Sequence, residues 1–280
     1  MKETKAEYLP INKLRPFEGH PFYVKDDEEM AQLTESIIQQ GVLTPLVVRP
    51  LPNDEYEVIS GHRRLHACKK AGIETVPAFI YSMDRSEAVV AMVDSNLHRE
   101  KLLPSEKAFA YKMKLEALNH QGSSGQPGQK WTRDSLAEEA NDSSRQIHRY
   151  IRLTNLIPSI LQMVDIGEIA LTPAVELSYL DKDTQEIVLD AMEQEDCTPS
   201  YSQTVRIKKL YNSYLLDEDT IYSIMAEEKA NQREKISFHV NDLRNYFPHG
   251  YTAVQMSQEI LQALEERRVR KIRERDRDSR

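Results

Sequence analysis

The 280-residue sequence predicts an α+β N-terminal domain, an all-α central domain carrying a helix-turn-helix, and a small C-terminal module that is helical or α/β. Three observations predict this order. Residues 8–81 alternate short β-branched runs with helix-period segments. From about residue 84 the apolar spacing is helical. The polar segment from His120 to Lys130 then interrupts the helices with three of the nine glycines and no apolar residue, as an exposed loop would. The boundaries expected are 1–100, 101–200 and 205–280.

Taken in order, Asp26 to Gln40 places Met30, Leu33, Ile37 and Ile38 at helical spacing, with Gly41 as a stop. Leu46-Val47-Val48-Arg49 and Tyr56-Glu57-Val58-Ile59 read as strands around the turn Pro52-Asn53-Asp54. Residues 62–71 form a short helix ended by Gly72, and Val76 to Tyr81 is a further strand. Ala88, Val89, Met92, Val93 and Leu97 make a helical stripe. Pro104 opens the next helix, at a position that tolerates its missing N–H.

Charge and cysteine content narrow the function classes. Thirty-seven basic residues against 45 acidic ones give a net charge of −8, so a uniformly basic nucleic-acid coat is excluded while a local basic patch is not. The only cysteines, Cys68 and Cys197, are far apart, which argues against a disulfide framework or a cysteine zinc site and fits a reducing cytosol. The N-terminus has no apolar stretch of signal-peptide length. No run approaches ~18 uninterrupted apolar residues. A cytoplasmic location is the expectation.

Two constellations carry chemistry. Gly61-His62-Arg63-Arg64 sits where a strand turns into a helix. A helix start offers free N–H groups and a positive dipole end, glycine admits close approach, and arginine supplies bidentate donors suited to phosphate. The second is Asn96-Leu97-His98-Arg99, at the end of one helix and just before Leu102-Leu103-Pro104-Ser105. On spacing alone, a turn glycine with surface arginines and a helix cap explain both equally well.

Read together, IIQQGVLTPLVVR (37–49), YEVISGHRRLHA (56–67), GIETVPA (72–78) and SNLHREKLLPSEKAFA (95–110) resemble, in order and spacing, the ParB family of chromosome and plasmid partition proteins over residues 8–180. The resemblance implies a first domain of the fold shared with sulfiredoxin, binding CTP with Mg²⁺. It implies that Gly61, His62, Arg63 and Arg64 occupy the box that holds the triphosphate. Asn96 and Arg99 belong to the second box, with Asn96 beside the metal, and Gly41 and Thr44 lie near the nucleotide. His62 and Ser95 stand where the family usually has Glu. A carboxylate is the natural hard ligand for Mg²⁺ and a candidate for orienting water, so at most a slow CTPase is expected. Sulfiredoxin chemistry needs a cysteine in the Gly-x-Arg turn; here Gly61-His62-Arg63 has no sulfur, and Cys68, two turns on, reads as a packing residue.

Residues 133–152 read as a helix-turn-helix. Leu136, Ala137 and Ala140 face inward, Asn141 takes the tight turn, and Ser143 or Ser144 caps the second helix, whose Ile147 and Ile151 pack at i, i+4. Ser144, Arg145, His148, Arg149 and Arg152 then lie on or beside the outer face. From Ser143 to Leu153 there are three arginines and no acid in a net-acidic chain, the footprint of a helix entering the major groove. Arg145 and Gln146 have the chemistry for base edges; Arg149 and Arg152 suit phosphates.

Beyond residue 204, Val254, Ile260, Leu261 and Leu264 form an apolar helix face, and Ile236 to Val240 reads as a strand. This region is expected to hold a homodimer. The sequence thus predicts a dimeric, CTP-responsive clamp on a palindromic double-stranded DNA site, serving chromosome, plasmid or mobile-element partition. The resemblance adds association with the nucleoid and a Walker-type partition ATPase as partner. The rival readings are a transcriptional regulator of a mobile element using the same helix and, from another class, a nuclease or kinase built on the first domain.

Overall fold

The structure is a computed structural model and describes residues 6–99, 102–122, 142–227, 243–248 and 250–278. The expected first helix of the helix-turn-helix (Leu136, Ala137, Ala140, Asn141), most of the polar loop and the strand expected at 236–240 lie outside the described residues. The chain divides into two compact units, Met1–Glu227 and Glu228–Arg280.

The first unit opens with a five-stranded mixed sheet in the order β1-β5-β3-β4-β2. Its strands are β1 (Glu7–Pro10), β2 (Leu14–Arg15), β3 (Leu46–Leu51), β4 (Glu55–Ser60) and β5 (Thr75–Ile80). β3 and β4 pair antiparallel through the expected turn, where Asn53 and Asp54 adopt φ of 66° and 59°. Asn and Asp tolerate that conformation better than other side chains. β3 pairs parallel with β5, and the two short strands β1 and β2 sit at the edges.

Alternation along the central strands builds two cores. Leu46, Val48 and Val58 turn to one face, against Met30 and Ile37 of α1 (Glu28–Gln40) and Leu65, Ala67 and Cys68 of α2 (His62–Lys70). Val47 and Ile59 turn to the other face, against Val89, Met92 and Val93 of α3 (Arg85–Leu97) and Ala110 and Ala117 of α4 (Pro104–Gly122). Neighbouring strand residues point to opposite faces, so a sheet covered on both sides needs apolar residues at successive positions. Cys68 is fully buried and unbridged, and burial pushes its thiol pKa up.

A buried carboxylate ties the sheet to the second layer. Glu57 accepts from Arg49 at 2.7 Å, from Arg85 at 2.8 Å and from the Glu18 N–H at 3.1 Å. Burial alone would raise its pKa; the three donors outweigh it and hold the group below the ordinary carboxylate range.

The remaining helices of this unit are α5 (Ser144–Leu153), α6 (Pro158–Asp165), α7 (Leu171–Leu177), α8 (Lys182–Gln194), α9 (Tyr201–Asn212) and α10 (Glu218–Met225). Helix α4 bridges the layers. Its Tyr111 and Leu118 pack on Ile147 of α5, while Ser105 donates from N and Oγ to Asp165, at 2.9 and 2.5 Å, at the end of α6. The sequence places the last module at 205; instead Ile207, Ile221, Ile224 and Met225 enter the helical core, which carries the first unit to 227. In the second unit, α11 (Ala253–Asp278) exposes Val254, Leu261 and Leu264.

Candidate nucleotide cleft and nucleic-acid interface

The first site forms where β4 ends. Gly61 adopts φ 102°, and a Cβ there would stand 3.1 Å from Leu46 Cγ and 3.3 Å from Arg64 Nη2. Both the left-handed backbone and the close approach demand glycine. The next residue begins α2. Arg64 folds back over Gly61 and donates to the carbonyls of Thr44 and, at 2.8 Å, Pro45. It therefore fixes the loop that follows Gly41, whose own N–H closes α1 on the Ile37 carbonyl at 2.9 Å. Arg63 reaches α1 instead, 3.3 Å from Glu29 and 3.6 Å from Asp27.

Arg99 lies just beyond the end of α3. Its N–H bonds the Asn96 carbonyl at 3.1 Å, its guanidinium lies 5.9 Å from the Phe22 ring, and it makes no ion pair among the described residues. Burial lowers its pKa, and Arg63 lowers it further. An unexpected pair forms at the start of α2. His20, from the loop before α1, packs against His62 with ring centroids 3.8 Å apart. Both Nε2 atoms are buried and lack a hydrogen-bond partner among the described residues. Burial, His20 and Arg99 push His62 down to about 3, and burial pushes His20 below its ordinary value. Buried polar atoms without partners are rare and mark places where a ligand would complete the bonding.

The groups gathered here suit a polyphosphate: Arg99, which makes no ion pair among the described residues, with the guanidiniums of Arg63 and Arg64 nearby and two imidazole Nε2 atoms that become donors on protonation. Asn96, expected beside a metal, is buried; its amide nitrogen donates to Met92 O, 2.8 Å, and Ser95 Oγ, 3.1 Å, so a metal would be taken through its Oδ1. Among the described residues no three His, Cys, Asp or Glu side chains gather to hold a metal.

The second site is α5. Ser143 caps it, its hydroxyl accepting the Gln146 N–H at 3.2 Å. Ile147 and Leu153 are fully buried and Ile151 packs with them, which fixes the outward face. Ser143 and Arg145 are exposed; Ser144, Gln146 and His148 are half-buried. Arg145 makes no ion pair or hydrogen bond among the described residues. Arg149 bonds Gln146 Oε1 at 3.4 Å and Thr172 Oγ1. Arg152 turns inward: it donates to the Ser178 carbonyl and, at 3.2 Å, to Ser178 Oγ, and lies 3.9 Å from the Tyr179 ring centroid. Lys208 lies 4.0 Å from the same ring. Arg152 thus fastens α5 to the turn after α7.

Comparison with known proteins places the first domain in a family. Residues 1–97 match the ParB N-terminal domain. The nucleoid occlusion protein of Listeria monocytogenes is 31% identical over 185 residues, 66% of this chain and 61% of that protein. The chain carries a ParB N-terminal domain and is similar over about two thirds of its length to ParB-like partition proteins. Stage 0 sporulation protein J of Bacillus subtilis is 34% identical over 174 residues, 61% of this chain and 56% of its own length. This ParB-like chain therefore spans about three fifths of the length of the curated relatives it matches. A C-terminally truncated chromosome-partitioning protein ParB from Caulobacter crescentus, complexed to the centromeric parS site, is 20% identical, covering 78% of this chain and 98% of that one at a TM-score of 0.44.

The structure brings Gly61, Arg64 and the Thr44 loop into contact, packs His20 on His62, and sets Arg99 near enough to oppose charge on both rings, while Arg63 pairs with α1. His20 is the site residue that sequence reasoning misses. It lies 42 positions before His62 in an irregular loop, and only the pairing of a neighbouring His-Pro-Phe with the Gly-His-Arg-Arg turn would have hinted at it.

Proposed function

We propose that this ParB-like protein is a sequence-specific DNA-binding protein of chromosome, plasmid or mobile-element partition, acting at the nucleoid as a CTP-responsive dimeric clamp. The observation that carries the nucleotide half is the cleft at Gly61, where two buried imidazole nitrogens near Arg99 lack partners among the described residues. A triphosphate supplies acceptors for the Arg99 guanidinium and, once the pair takes up a proton, for an imidazole Nε2; CTP as the base, and Mg²⁺ carried on its phosphates, follow from the family. The DNA half rests on α5. Its cap and buried Ile147 orient Arg145 and Gln146 outward, toward base edges or phosphates, with Arg149 beside them. The remainder of the helix-turn-helix belongs to the same proposal. The exposed Val254, Leu261 and Leu264 of α11 support dimerisation through the second unit. A palindromic site would then match two copies. A Walker-type partition ATPase is the proposed partner by family alone.

Two measurements test the reading. Calorimetric titration of the full chain with CTP, ATP and GTP in Mg²⁺, with and without DNA, gives heat preferentially with CTP; no heat with any nucleotide overturns the nucleotide half. Genome-wide mapping of bound DNA shows occupancy spreading over kilobases for a clamp. Sharp peaks alone would make the protein a transcriptional regulator.

A further inference from the structure

We infer that His20 and His62 form a paired imidazole subsite of the phosphate cleft, and that binding a nucleoside triphosphate there adds a proton to the pair. This rests on the nucleotide reading above. The two rings sit 3.8 Å apart with a 44° tilt. His20 Nδ1 lies 2.8 Å from the Phe22 carbonyl, so that nitrogen carries its proton and donates. His62 hydrogen-bonds the Val58 backbone in β4. Each ring is thereby anchored to backbone, and among the described residues the buried Nε2 atoms have no hydrogen-bond partner.

A neutral imidazole with its proton on Nδ1 presents a lone pair at Nε2. That lone pair repels a phosphate oxygen. Protonation converts Nε2 into a charge-assisted donor, which attracts it. A triphosphate can therefore use these atoms only after proton uptake from solvent. The groups facing the pair set the free state. Arg99 at the end of α3 opposes charge on both rings, and Arg63 on α2 adds to the positive field around Arg99. Glu106 at the start of α4 favours charge on His20, but its two oxygens are already held by the Tyr23 N–H, 2.8 Å, and the Leu103 N–H, 3.0 Å. Burial disfavours charge on both rings, so the free protein holds them neutral near pH 7. A bound polyanion reverses the sign of the field. Two imidazoles this close cannot both ionise cheaply, so one proton is shared by the pair.

The test is calorimetric titration of the full chain with CTP in Mg²⁺ at pH 6, 7 and 8, in buffers of different ionisation heat. The wild type takes up about one proton more than His20→Gln or His62→Gln, and comparing chains cancels the nucleotide's own titration. Wild-type affinity falls as pH rises, by up to about tenfold per unit more than in either variant. His62→Glu, which installs the residue usual in the family, binds CTP without the extra proton. Should the glutamine variants fail to fold, the imidazole Cε1–H resonances of the wild type replace them: neutral at pH 6.5 when free, protonated when CTP is bound. Equal proton counts and pH slopes in all chains, or unmoved resonances on saturation, overturn the inference and leave nucleotide binding standing. No binding by the wild type at any pH overturns both.

Discussion

The start of α2 and the outer face of α5 are both arginine-bearing helical regions, yet they are built in opposite ways. At α2 the polar atoms are folded inward: Arg64 holds loop carbonyls, and the Nε2 atoms of His20 and His62 are buried without partners among the described residues. At α5 Arg145 faces solvent, and the arginine that turns in, Arg152, is fully engaged by Ser178 and Tyr179. A cleft that encloses a small ligand must desolvate its own donors in advance, at a cost to the free fold. A surface that meets a polyelectrolyte keeps its charges hydrated and loses only counterions on binding. Sequence composition treats the arginines of the two regions alike; their surroundings separate them.

The difference can be broken by substitution. The largest effect is expected at Arg99. Removing its charge-assisted bonds costs about 1.5–3 kcal/mol, one to two decades in CTP affinity by calorimetry, with DNA binding in the absence of nucleotide unchanged. Arg145→Ala should do the reverse. If Arg145 reads a base, discrimination falls by ~1–3 kcal/mol at one position; if it meets a phosphate, binding to all sequences weakens and the salt slope drops by about one. Fluorescence anisotropy over a salt series separates these outcomes.

Arg152→Ala sharpens the contrast within α5. It should destabilise the helical layer by roughly 1.5–3 kcal/mol in denaturant melts and leave the salt slope of DNA binding unaltered. An unchanged melt with a reduced slope would place Arg152 on DNA after all. The smallest effect is the cap: Ser143→Ala should cost ~1 kcal/mol of stability.

Acid should separate the two regions as well. His20 and His62 have pKa values held below the ordinary 6.5, so the neutral pair contributes stability that is fully present above that value. As pH falls below 6.5 the unfolded chain binds protons that the folded chain refuses, and stability declines toward the folded pKa values. Thermal melts of the wild type should therefore lose more between pH 7 and pH 5 than those of the His20→Gln, His62→Gln double variant. Saturating CTP should reduce that loss.

Much of this is legible in particular residues. Met30 and Ile37 at helical spacing, the Pro52-Asn53-Asp54 turn, Gly61 at a strand-to-helix junction and the Ser143 cap are local features, and local propensity and periodicity suffice to place them. The edge strands β1 and β2 are not legible this way. They are four and two residues long, and their backbone bonds come from β5 and β4, some 70 and 40 positions away. The extension of the helical core to residue 227 escapes for a similar reason: the polar stretch from Asp196 to Gln203 looks like a boundary, but Gln203 donates at 2.7 Å to the Ile224 carbonyl and is buried.

By itself, the sequence determined the central strands and the helices that pack on them, that Gly61 must turn the chain, and that α5 carries net positive charge. Only the tertiary structure decided which positive charges remain available. Arg63, Arg64 and Arg152 are spent on Asp27 and Glu29, on Thr44 and Pro45, and on Ser178, whereas Arg99 and Arg145 are not. It also decided that His20 meets His62. Charge and hydrogen-bonding capacity are properties of a residue, but satisfaction is a property of its neighbours in space, and those neighbours come from elements that no sequence period connects.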